Sequence, residues 1–213
     1  MLRKERVYLF MGVLAAELVI FFAAAAYPLD PAAQKIALDQ ANSTLAHEGS
    51  LGPTGLFGLI FTNNIRIAVI EMAPVLGGIF FVVSILTTGE VIQALATSQG
   101  HPSLTYAVIL FLYPFTILEL GAYAFASSSG IMLLVSTARR RLRHETKLFF
   151  AEILVVVGTT AVAAAMETLT ILVWWVGLLL WIPVGIAVIW VSSRLRRQAP
   201  KETPSSPAPI AAS

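Results

Sequence analysis

The chain of 213 residues is 57% hydrophobic and only 12% charged, with a formal net charge of +2 and a mean hydropathy of +0.81. Soluble domains carry about 25% charged residues, so composition excludes an ordinary water-soluble fold and points to membrane helices, whose backbone groups are satisfied within each segment. The apolar runs are continuous rather than alternating, which excludes a membrane β-barrel, and the absence of cysteine excludes disulfides, thiolate catalysis and cysteine-held metal centres.

The first apolar run, Val7 to Tyr27, follows the basic start "MLRKER". A signal peptide shares that layout but has a shorter apolar core, so a retained transmembrane helix is expected. Residues 28–53 form a polar outer loop. Within it, Asp30 followed by Pro31 supplies an N-cap and a residue suited to the first helical position, predicting a short surface helix that ends near Gly49. "GLFGLIFTNNIR" then turns abruptly polar, predicting an interfacial helix that ends at Asn63 and Asn64. A crossing is expected over Ile67 to Thr88. The run from Leu104 to Ser136 holds one charged side chain, Glu119. Two short crossings are expected in it, 104–118 and 120–136, broken around Pro114 and the small residues "GAYAFASSSG". Two further runs, Leu148 to Met166 and Leu169 to Val191, flank "ETLT", which predicts a tight helical hairpin. The Pro-, Ser- and Ala-rich tail, 198–213, is expected to be disordered.

Basic residues set the orientation. They cluster at Arg3, Lys4 and Arg6, at Arg139, Arg140, Arg141, Arg143 and Lys147, and at Arg194, Arg196, Arg197 and Lys201. If all three clusters face the cytoplasm and residues 28–53 face outward, the chain crosses an odd number of times between Pro53 and Arg139. The expected fold is therefore all-α: a polytopic membrane bundle of about six transmembrane helices, with a broken, short helix pair in the middle. Residues 1–197 form one membrane domain in the plasma membrane, with both termini cytoplasmic.

Four acidic residues lie inside apolar windows: Glu17, Glu71, Glu119 and Glu152. An ionised carboxylate at the bilayer centre costs at least about 2.5 kcal/mol, so each invites a functional reading. Glu152 is expected to pair with nearby Lys147, and Glu71 with Arg66. Glu17 is expected to face the bundle, either in a structural hydrogen bond or in a role of its own. Glu119 has no basic neighbour in its run and must find a partner across helices, for which Arg66, Asn63 and Asn64 are the candidates. Asn63, Asn64, Arg66, Glu71 and Glu119 thus form the expected intramembrane polar cluster. Small residues at Gly77 with Gly78, Gly121 with Ser127 to Gly130, and Gly158 with Ala163 to Ala165 predict close helix approach. Trp174, Trp175, Trp181 and Trp190 suit an interfacial belt. Walker, HExxH and GxSxG motifs are absent, and His47, His101 and His144 fall in separate loops. No catalytic residue, metal site or cofactor is expected; the partners are membrane lipids and other membrane proteins, not nucleic acid. Asn42-Ser43-Thr44 is a candidate glycosylation sequon.

"FTNNIRIAVIEMAPVLGGIFFVVSILTTGEVIQALA" followed by "LYPFTILELGAYAFASSSGIML" resembles the stage II sporulation protein M family (SpoIIM, also called DUF95). The family-like core covers about residues 57–136. By resemblance Asn63 and Asn64 match the family's Asn pair and Gly89 a turn after the next helix. Pro114 and Glu119 match the ends of a Pro-His-Gly-x-x-Glu element, and Gly130 the glycine after it. Phe115 and Thr116 stand where that element commonly has His and Gly. The resemblance implies a membrane scaffold of the kind that gathers cell-wall hydrolases in spore formers, although many relatives occur in organisms that form no spores.

Two functions are open to such a chain. One is a noncatalytic membrane subunit or scaffold, assembled as a homo-oligomer or hetero-complex with membrane or envelope proteins. The other is a permease-type transporter subunit working with a separate ATPase. They differ at Glu119, which a scaffold keeps dry and hydrogen-bonded and a transporter opens to water.

Overall fold

Prolines mark where several helices begin. The computed structural model describes residues 3–140 and 142–198. Its elements are α1 (Arg3–Ala26), α2 (Pro31–Gly49), α3 (Pro53–Glu71), α4 (Leu76–Ser98), α5 (Ser103–Leu110), α6 (Pro114–Ala138), α7 (Leu142–Leu172), α8 (Trp174–Leu179) and α9 (Trp181–Gln198). Pro31, Pro53 and Pro114 each open a helix, where a missing N–H costs nothing. Asp30 caps α2, its Oδ1 accepting from Ala32 N and Ala33 N at 2.9 and 3.0 Å. Of the expected features, the tail from residue 199 on, with Lys201, lies outside the described residues. So do Arg141 and the side chains of Arg3, Arg143, His144, Arg196 and Arg197.

The protein is an all-α polytopic membrane bundle. Helices α1, α3, α4, α6 and α7 are long and apolar enough to cross a membrane, while the apolar stretch Trp174–Trp190 is shorter and is broken at Leu180 between α8 and α9. The chain falls into two compact units, residues 1–180 and residues from Trp181 on. In the second, α9 is apolar up to Trp190, and the Arg194 guanidinium sits 4.6 Å from the Trp190 ring centre.

In the first unit α6 is the central helix, packed against α7, α1 and α3. Between Ala122 and Gly130 its buried residues are all small: Ala122, Ala124, Ala126, Ser127, Ser128, Ser129 and Gly130, so backbones approach closely there. Helices α3 and α7 run antiparallel, because Leu56 and Ile60 pack on Ala164 while Ala68 and Met72 pack with Val156. α1 and α4 meet through Val13, Phe21, Phe81, Ile85 and Ile92. A Cβ at Gly89 would lie 2.5 Å from that of Ala24 and 2.8 Å from the Phe21 carbonyl oxygen. Apolar side chains left outward on these helices, among them Val19, Ile79, Val83 and Leu154, form the lipid-facing surface.

Several expected boundaries are corrected. Residues 53–71 are one helix, so Asn63 and Asn64 sit well inside α3 rather than at its end, and the break falls at Met72–Val75 instead of before Ile67. Pro74 cannot continue an α-helix, whereas two asparagines cost a helix less than about 1 kcal/mol each. The expected crossing 104–118 is replaced by the short α5, about 12 Å long at 1.5 Å per residue, and a break at Phe111–Tyr113. Glu119 lies in the second turn of α6, and no helix end follows it before Ala138. "ETLT" is no hairpin: Thr168 and Thr170 donate to the carbonyls of Ala164 and Met166 at 2.7 and 2.8 Å. This back-bonding accommodates polar residues within a helix, and α7 continues to Leu172. Gly89 is no turn residue but a buried contact in α4. Gly121, Gly78 and Gly158 mediate no close approach, since a Cβ there would meet nothing within 4 Å.

A candidate carboxylate site inside the bundle

The turn between α3 and α4 is built around two positions. A Cβ at Gly130 of α6 would lie 2.7 Å from the Met72 carbonyl oxygen, so only glycine lets the turn seat there. Val75 has φ 69° and ψ −61°, and Leu76 N donates to the Pro74 carbonyl at 2.9 Å. This is the rare, strained form of the γ-turn, adopted by a β-branched residue. Its seating brings Glu71, the last residue of α3, into the bundle.

Glu71 is 1% exposed. Ser84 Oγ of α4 donates to its Oε1 at 2.9 Å, and Ser127 Oγ of α6 donates to its Oε2 at 3.2 Å. Glu119, Tyr123 and Ser127 recur every four residues and share one face of α6. Asn64 Nδ2 donates to Glu119 Oε1 at 2.6 Å, and the Asn63 side chain donates to Asn64 Oδ1 at 3.4 Å, a long contact. Glu167 of α7 hydrogen-bonds Glu119. Such a bond needs a proton on one of the two carboxyls, because a carboxylate only accepts. Glu17 of α1 is 0% exposed, and neither of its oxygens has a hydrogen-bond partner.

Two cavities reach this group. One, of about 340 Å³, is lined by Ser84, Thr88, Thr116, Glu119, Tyr123 and Glu167, with Phe21, Ile85 and Phe115 on its apolar side. The other, of about 470 Å³, lies under α2 and is lined by Gln40, His47, Glu48 and Glu167. Asn63, Asn64 and Glu167 border both. At the second cavity, partial burial moves the Glu48 carboxyl above its ordinary range, a shift that neighbouring His47 opposes.

The expected cluster is thus placed only in part. Asn64 and Glu119 meet, and Asn63 sits beside them. Glu71 lies near the same group but binds serines, not Arg66. Arg66 is exposed and makes no ion pair among the described residues. The five-residue spacing explains this: in one continuous helix it sets Arg66 and Glu71 on different faces, whereas three or four residues would align them. Glu152 pairs not with Lys147 but with Arg6 of α1, which also binds Glu145. Pro114 begins α6 after the break. Asn42 is on the exposed face of α2, beside Ser43 and Thr44, whose hydroxyls donate to the Gln40 carbonyl. Glu167 was missed by sequence reasoning, which assigned it to a loop. The available signal was the lack of any Gly or Pro from Thr159 to Leu172.

A family model described as SpoIIM, stage II sporulation protein M, matches residues 7–170. No curated protein and no solved structure matches the chain.

Proposed function

The chain belongs to the stage II sporulation protein M family of membrane proteins, and from that premise we propose that it is a noncatalytic, permease-type membrane subunit working with a separate ATPase. The observation that carries this reading is Glu119 with Glu167: two carboxyl groups in contact, both lining one cavity with Glu167 bordering a second, beside the α6 stretch that buries alanine and serine. Intramembrane carboxylates facing a cavity mark solute or ion pathways, and packing alone has no need of them. The α2 side faces outward, and the basic segments at Lys4 to Arg6 and at Arg139 and Arg140 face the cytoplasm of a plasma-membrane protein. Arg139 and Arg140 are exposed and available to a nucleotide-hydrolysing partner.

A scaffold is the second reading. It is favoured by the 2.6 Å bond from Asn64, which holds Glu119 as an anchor would. Gentle purification from native membranes, followed by reconstitution in vesicles, separates the two. The permease reading expects a co-purifying ATPase, and a Glu119→Gln protein that assembles but does not support ATP-driven flux. Envelope proteins without an ATPase, together with a fully functional Glu119→Gln protein, would leave the scaffold. Orientation is checked by single cysteines at Ser50 and Arg139, which should label from outside and inside intact cells respectively.

A further inference from the structure

Glu17 is the group that none of the roles above uses. It lies in the middle of α1, fully buried, with both carboxyl oxygens unpartnered. It is close enough to Glu71 of α3 and Tyr123 of α6 to interact with both electrostatically. Tyr123 in turn senses Glu71, Glu119 and Glu167. No lysine or arginine pairs with any of these carboxyls among the described residues. A buried charge lacking both donor and counter-ion costs several kcal/mol, and such a group neutralises instead. A metal ion would need a shell of several oxygens or nitrogens, and no group of three or more His, Asp or Glu is placed to supply one among the described residues. A proton needs no shell at all.

We infer that Glu17 and Glu71 form an exchangeable proton site within the membrane, reached from the Glu119–Glu167 cavity along the Tyr123–Ser127 face of α6. The inference rests on the permease reading and names the proton as an ion that its pathway exchanges. Water in the cavity meets Glu119, Glu167, Tyr123 and Ser84. Ser84 and Ser127 both donate to Glu71, and Glu17 lies within electrostatic reach of Glu71 without a hydrogen bond to it. Each step breaks one O–H bond and makes another. A hydronium ion in the cavity passes a proton to the Ser84 hydroxyl as Ser84 passes its own to the Glu71 carboxylate, leaving one water behind. The Glu71 proton moves to the Glu17 carboxylate once side-chain rotation brings the two carboxyls into contact. Only a proton moves, and no other reactant is consumed. Tyr123 is a positioning residue in this path, the serine hydroxyls relay the proton, and the carboxyls hold it.

Infrared spectroscopy of the full chain in lipid vesicles tests the site without any transport assay. The expected result is a protonated-carboxyl band that shifts on transfer to D2O. Glu17→Gln should lose one component of it, Glu17→Asp should keep that component at a displaced frequency, and Glu119→Gln should keep it but slow its exchange. A carboxyl band unchanged in Glu17→Gln would overturn the proposal, as would a Glu17 component that never shifts in D2O. If Glu17→Gln fails to fold, the Glu17→Asp displacement decides: no displaced component overturns the proposal. An exchanging Glu17 component in a protein that supports no flux would sustain the proton site while sinking the permease reading. Flux without that component would do the reverse.

Discussion

Glu145 and Glu152 share the guanidinium of Arg6, whereas Glu17, Glu71, Glu119 and Glu167 have no cation among the described residues. Both groups are carboxylates brought together by helix packing, yet they are neutralised differently. Arg6 ties α1 to α7 with a fixed opposite charge, a structural bond that nothing need exchange. The second group uses serine hydroxyls, one asparagine amide, a carboxyl–carboxyl contact and, at Glu17, no partner. Fixed charges lock two helices; proton-neutralised carboxyls beside a cavity remain open to exchange with water. Residue type alone does not separate a lock from a site.

The largest expected effect breaks the lock. Arg6→Ala leaves two carboxylates uncompensated and should cost about 3–5 kcal/mol, read as a lower melting temperature of the purified protein in lipid. Arg6→Ala combined with Glu145→Gln and Glu152→Gln should recover much of that loss. A melting temperature insensitive to Arg6→Ala would mean that the first group is no lock.

Next comes the seat of the turn. Gly130→Val places side-chain atoms against the Met72 carbonyl and should cost up to about 3 kcal/mol as overpacking. Because the same turn presents Glu71 to Ser127, cysteine crosslinking between the α3–α4 turn and α6 should also fall. A stable, crosslinked Gly130→Val protein would show that the interior group does not depend on that seat.

Glu119→Leu comes third, at about 1–3 kcal/mol, because Asn64 and Glu167 would be left buried without a partner. Glu119→Gln keeps an acceptor and adds a donor, so its melting temperature should lie near that of the wild type. Equal loss in both variants would place a charge there, and the contrast with Arg6 would fail.

The smallest effect has the opposite sign. Val75→Gly should stabilise by about 1 kcal/mol through relief of backbone strain at positive φ. No gain on melting would indicate that the turn is held in some other conformation.

The sequence alone determined the membrane class, the helical fold and the family, because these rest on summed properties: apolar run length, the absence of alternation, and a motif along one stretch. It also determined the start of α2 from Asp30 and Pro31, and that of α6 from Pro114, since capping and the proline ring act locally. Hydropathy was a poorer guide inside the runs. It put a boundary at Asn63, Asn64 and "ETLT", where polarity changes but no backbone constraint acts, and missed the break at Pro74, where one does. The pairing of charges belongs to the tertiary structure alone. Arg66 and Glu71 lie close in the chain but on different faces, while Arg6 meets Glu145 and Glu152 across well over a hundred residues. Glu167 joined Glu119 only once α7 ran unbroken past Met166. Which carboxyl finds an arginine, which finds a serine and which finds nothing depends on helix phase and on close backbone contacts at Gly77, Gly89 and Gly130. Neither phase nor contact is a property of any single segment.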